Sequence, residues 1–208
     1  MARGKAPPQD RPVCGFSRIF CNISGTVVCF VASGFAAALS APRMGEGKMA
    51  MEENALLREH VLNLLRGGQA HATLDAAVRS FPAELRARRP RGAQHSAWEV
   101  LEHMRIAQWD ILEFSRNPRH RSPKFPEGYW PATQAPADDK AWDKSVRAFR
   151  RDLKAMCELV ADESTDLFAR IPHGSGQTIL REALLTADHN AYHLGELVLL
   201  RRLLGAWE

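Results

Sequence analysis

Cysteine is scarce in this chain and poorly placed for cross-linking. Cys14, Cys21 and Cys29 lie near the N-terminus, and only Cys157 lies in the remainder. There is no CxxC pair, which excludes a zinc site of that type, and nothing suggests a disulfide framework. Cys157, alone at a helical core spacing, reads as a small buried hydrophobe. Surplus charge is also missing where it would matter. The net charge is +4, but residues 1–50 hold six of the 28 basic and two of the 24 acidic side chains, leaving 22 of each sign in 51–208. Nucleic-acid binding needs a basic face to neutralise phosphates, so nucleic acid is not an expected partner. The local basic runs at 86–91 and 116–124 stand near Glu and Asp and read as solvated loops. No strand-like alternation, nucleophile triad, phosphate loop or dinucleotide fingerprint is visible.

Residues 19–42 lack any charged side chain and follow basic residues. The stretch admits three readings. Its apolar centre at 26–39, with Ala38-Leu39-Ser40 before Ala41, fits a signal peptide. Its length also fits a weak membrane span, weakened by Asn22, Ser24, Gly25, Ser33 and Gly34. Alternatively the start is mis-set and translation begins at Met44, Met49 or Met51. The last reading makes the protein cytoplasmic; the others make it exported, or anchored in a membrane through 19–42. In each case residues 1–50 are an extension outside the fold, and 51–208 form the domain.

Within that domain four long helical patterns are expected. Leu57, Val61, Leu64 and Leu65 form a stripe on 52–66 that Gly67-Gly68 stops. A small extra helix is expected at 73–81, ended by Pro82. The second main helix opens with a capping box, Ser96 with Glu99 three residues on, and runs to about Asn117 before Pro118. The third starts at Asp138-Asp139 and carries a heptad stripe of Trp142, Val146, Phe149, Leu153, Met156 and Val160. The fourth begins near Thr178 and runs to about Leu204, with Gly205 as the stop.

The link at 117–137 is long and contains five prolines, at 118, 123, 126, 131 and 136. A structureless link of that size needs a task. Extended, it reaches roughly 65 Å, whereas helix two is only about 30 Å long. It can therefore cross the bundle and make helices two and three parallel. The expected fold class is all-α: a four-helix bundle, up-down-down-up, with a long crossover between helices two and three. Tyr129-Trp130 in that crossover would cap one flank or one end.

The chemistry lies in the histidines. His189 and His193 are four residues apart on helix four, so both project from one face, about 5–6 Å apart at Cβ, and can share one ion. Alone, such a pair is a weak signal, and its plainer reading is two helix-surface or core histidines satisfied by hydrogen bonds. His103 on helix two changes the balance, because an imidazole among Val100, Leu101 and Met104 needs a reason to be buried, and an adjacent helix at roughly 8–10 Å could place it opposite the pair. Glu196 and Asp110 lie on the two ligand faces, where either could orient an imidazole or act as a base; an ordinary surface carboxylate is the plainer reading of both. His95 reads as a helix-entry residue. His173 lies roughly 15 Å or more along the axis from His189. His60, His71 and His120 read as surface or loop residues.

The runs His95-Ser96-Ala97-Trp98-Glu99-Val100-Leu101-Glu102-His103 and Asp188-His189-Asn190-Ala191-Tyr192-His193-Leu194-Gly195-Glu196-Leu197 resemble the DinB/YfiT-like superfamily, as does Phe125-Pro126-Glu127-Gly128-Tyr129-Trp130 between them. The resemblance covers roughly 52–207. It implies a four-helix bundle of unusual crossover topology, whose metal is held by one histidine of helix two and an HxxxH pair of helix four. By motif these fall on His103, His189 and His193. Many relatives have Gln at the position of Glu196. Relatives of known activity include transferases that use low-molecular-weight thiols, and the family name implies no DNA chemistry.

The resulting expectation is a divalent-metal-dependent transferase or hydrolase acting on a small molecule, with a low-molecular-weight thiol as candidate cosubstrate. Zinc or nickel leads as the ion, with iron and manganese as alternatives. Two other classes remain open: a non-catalytic metal-binding or stress-associated bundle, and an anchored helical interaction module. A homodimer is the open oligomeric alternative.

Overall fold

Five α-helices and no strand build the part of the chain that the computed structural model describes, residues 44–207. The signal-peptide and anchor readings of 19–42 lie outside the described residues. The helices are α1 (Met44–Arg66), α2 (Leu74–Val78), α3 (Ala97–Arg116), α4 (Asp139–Ala161) and α5 (Ile179–Leu203). The four long ones form the bundle. No helix among the described residues is long and apolar enough to cross a membrane.

Local chemistry sets the helix ends. At α3 the Ser96 side chain accepts from the Glu99 amide, and the Glu99 carboxylate accepts from the Ser96 amide at 2.7 Å, the capping box read in the sequence. Asp138 and Thr178 cap α4 and α5 by accepting from Ala141 and Arg181 amides. Gly67, at φ +66°, ends α1, and Gly205, at φ +70°, follows the cap of α5; both take the left-handed conformation that glycine adopts without strain. Two elements differ from expectation. The small helix α2 stops at Val78, and Phe81 beyond it is buried without being helical. The first helix begins at Met44 rather than near 52. Residues 48–56 are good helix formers with no breaker, yet Met49, Met51 and Leu56 are exposed. The apolar stripe marks where packing starts, not where the helix does.

Two buried layers fix the directions of the helices. The first joins Trp98, Leu101 and Met104 of early α3 to Trp142, Val146 and Phe149 of early α4 and to Leu194, Leu197 and Leu200 of late α5. The second joins Ile111 and Leu112 of late α3 to Met156 and Val160 of late α4 and to Ala183 and Ala187 of early α5, with Val61 and Leu65 of α1. Helices α3 and α4 therefore run in the same direction and α5 against both. The link after α3 retraces that helix: His120 meets Asp110, Tyr129 meets His103, and the Gln134 carbonyl meets Ser96.

Polar groups hold this packing in register. Buried Arg58 of α1 donates to the carbonyls of Val160, Asp162 and Thr165 at 2.6, 3.0 and 2.6 Å. It thus supplies donors to carbonyls at and just past the end of α4, with its charge at the negative end of the helix dipole. Gln108, fully buried, donates to the Phe149 carbonyl and accepts from Asn190. It links α3, α4 and α5 one position away from His189.

Candidate metal centre

His103 enters the centre from the middle of α3, and His189 and His193 from consecutive turns of α5. Helical spacing aligns the pair, and the antiparallel packing of α3 on α5 brings His103 opposite. The Nε2 of His103 lies 3.1 Å from the Nε2 of His189 and 3.1 Å from that of His193. One potential ligand atom from each residue falls within 4.8 Å of the others, and the cluster is buried.

The other ring nitrogens decide what those three can do. His103 Nδ1 sits 2.9 Å from the Tyr129 carbonyl oxygen, and His193 Nδ1 sits 3.0 Å from Glu196 Oε2. Both partners are acceptors, so both Nδ1 atoms carry a proton, and in the neutral ring that leaves Nε2 as the nitrogen with the lone pair. Burial, and secondarily neighbouring groups, hold the His103 imidazole down at about 4 and His189 at about 3, from 6.5. Neutral rings are the form that binds a metal. Glu196 is held below the usual carboxylate range, chiefly by its hydrogen bond from His193.

An aromatic stack closes one side. Trp130 lies flat on His103, with centroids 4.0 Å apart and planes within 3°, and it also stacks on His95 at 3.9 Å. His95 in turn approaches Glu196, Nδ1 to Oε1 3.5 Å. Beside His193 and Glu196 opens a groove of about 510 Å³, also lined by His95, Trp130, Tyr192 and Leu199.

A family model for the DinB superfamily matches residues 66–197, a span that contains all three histidines. The chain belongs to the DinB superfamily. No curated protein and no solved structure is a match for it.

The residues of this DinB-superfamily chain fit a divalent ion on a physical test. Two nitrogens each about 2.1 Å from one ion stand roughly 3–3.4 Å apart at ordinary coordination angles, and the 3.1 Å separations match. Without a cation, lone pairs would face one another at hydrogen-bond distance. A single proton between His103 and His189 would leave His193 unserved. His189 Nδ1 is buried with no partner, so this ring is not stabilised by a hydrogen-bonding network of its own.

Asp110 does not touch any of the three clustered imidazoles. It accepts from His120 Nε2 at 2.7 Å and from the Tyr129 hydroxyl at 2.5 Å, and so acts on His103 only through the Tyr129 main chain. His120 is a loop residue, as one of its two sequence readings had it, but not a surface one, since its side chain is 7% exposed. The reason is tertiary: the crossover folds back over α3 and buries a loop histidine against a helix carboxylate. His173 is exposed and bound to the Phe114 carbonyl, away from the cluster. Sequence reading missed His95 and Trp130 as walls of the centre. The aromatic pair in a proline-rich link was the available signal for Trp130; nothing local announces that a backbone carbonyl at 129 orients His103.

Proposed function

We propose that this DinB-superfamily chain is a divalent-metal-dependent transferase or hydrolase acting on a small molecule, with a low-molecular-weight thiol as cosubstrate. The observation that carries the reading is the convergence of three imidazole nitrogens beside an open groove. His103, His189 and His193 would hold the ion, zinc or nickel first among the divalent metals. Three protein ligands leave room for a further one, as catalytic sites do and closed structural sites do not. A divalent ion there supplies Lewis acidity and lowers the pKa of a thiol or water.

The chain's own groups perform the remaining tasks. The Tyr129 carbonyl and Glu196 hold His103 and His193 in one tautomer and orientation. Trp130, flat against His103, shields that ring from water. Glu196 borders the groove and shares its other oxygen with His95, so it stands where a proton from a bound small molecule can be accepted. The groove volume lies in the range typical of small-molecule sites.

Metal analysis of purified protein, followed by a screen of low-molecular-weight thiols against small electrophiles, tests the reading. Turnover that needs both the ion and His103 supports it. Stoichiometric tight metal binding without turnover of any thiol, ester or amide probe would overturn the enzymatic reading in favour of a non-catalytic metal-binding bundle.

A further inference from the structure

Helix α5 buries Ala183, Leu194, Leu197 and Leu200 against the bundle. Its opposite face should be polar if water covers it. At about 100° per residue, Leu184, Asp188, Tyr192, Gly195, Leu199 and Arg202 fall in one arc of roughly 80°. Leu184 is 41%, Tyr192 74% and Leu199 55% exposed. Single exposed leucines are ordinary, but a stripe along one helix marks an interface.

Two features of the stripe identify its occupant. Gly195 is exposed in mid-helix, and a Cβ built there meets nothing within 4 Å. No packing among the described residues requires glycine at a position where it weakens the helix. Close approach of a second helix backbone does. The charges are also placed symmetrically: Asp188 stands seven residues before Gly195 and Arg202 seven after. Neither joins an ion pair among the described residues, although Arg202 lies over the Trp207 ring at 5.3 Å.

We propose that a second copy of this chain seats on this face, pairing α5 with α5 antiparallel about a two-fold axis at Gly195. In that arrangement the residue k places before 195 faces the residue k places after it on the other copy. Asp188 then faces Arg202 of the partner subunit, and Tyr192 lies beside Leu199 of the partner subunit. One patch serves both copies, as a two-fold interface requires. A parallel pair would set Asp188 against its own copy and is disfavoured by like charge. Tyr192 and Leu199 also line the groove beside His193, so the second helix borders that groove. The pairing does not depend on the enzymatic reading.

Sedimentation equilibrium of the full chain tests it. The parent chain should be a dimer. Asp188→Arg and Arg202→Asp should each raise the dissociation constant about tenfold or more, and the double exchange should restore most of it, since opposite charges meet again. Gly195→Leu should weaken the dimer comparably while leaving helical circular dichroism unchanged, because the position is exposed and a Cβ there meets nothing within 4 Å in one copy. A monomer at all concentrations overturns the proposal. So does an oligomer that survives all these changes, as one held through residues 19–42 would.

Discussion

At the scale of single residues, two of the three rings in the centre have the Nδ1 proton assigned by a neighbour. His103 and His193 each donate from Nδ1 to an acceptor, and both aim Nε2 at the same point. Replacing His103, His189 or His193 by Ala should therefore each reduce divalent-ion affinity by more than about 100-fold, beyond the effect expected of a supporting residue. Isothermal titration with zinc reads this directly, and undiminished affinity in His103→Ala would remove the three-histidine site. His173→Ala should change nothing; His120 is no such control, because it is bound to Asp110. Glu196→Gln should keep the ion with affinity lowered by about 10-fold, up to about 100-fold, since it removes the charged acceptor of His193 but no ligand. Complete loss of metal in that variant would instead make Glu196 a ligand. The pair His189 and His193 was legible in the sequence because a helix converts a spacing of four into a shared face. His95 and Trp130 were not, because their place depends on where the crossover lies.

Among the elements, α1 shows how a helix can be continuous while its packing is not. Residues 51–56 are exposed, and its attachment begins at Leu57 and Arg58. The Arg58 guanidinium gives three hydrogen bonds around the end of α4. Arg58→Met preserves apolar bulk but leaves those carbonyls without their donor, and should lower unfolding free energy by about 3 kcal/mol. Denaturant melts would measure it, and a change below about 0.5 kcal/mol, the usual range for surface substitutions, would show that water replaces the arginine. The metal centre should be unaffected at folding pH, because Arg58 acts at the opposite layer of the core from the late turns of α5.

For the molecule as a whole, an ion held by the three histidines and protons taken up by them would act on the same linkage between α3 and α5. An ion bound only by the native state stabilises it by mass action, by about 4 kcal/mol at a thousandfold excess over its dissociation constant. Chelation should therefore lower the melting temperature of the parent protein, and much less so that of His189→Ala. Protons act in the ion-free protein. Burial holds His103 at about 4 and His189 at about 3 in the native state, against 6.5 when free of it. Between those values the unfolded chain binds protons that the native chain refuses, so stability present above about pH 6.5 is lost as pH falls toward about 4. The melting temperature of chelated protein should fall steadily through that window, and His103→Ala should flatten the fall. A pH-independent melting temperature from about 7 to about 4 would show that these rings are not buried neutral.

Periodicity, caps and breakers determined by themselves that this chain forms long helices, where three of them start, and that His189 and His193 share one face of the last. These are local consequences of backbone hydrogen bonding and of a repeat near 3.6 residues, and they need no knowledge of neighbours. Tertiary structure alone decided the remainder. The retracing crossover sets Tyr129 and Trp130 on His103 and buries His120, and the packing of α1 turns Arg58 into a cap for another helix. The same packing leaves one apolar face of α5 uncovered. Each of these depends on which surfaces meet across long sequence separations, and no local pattern encodes that.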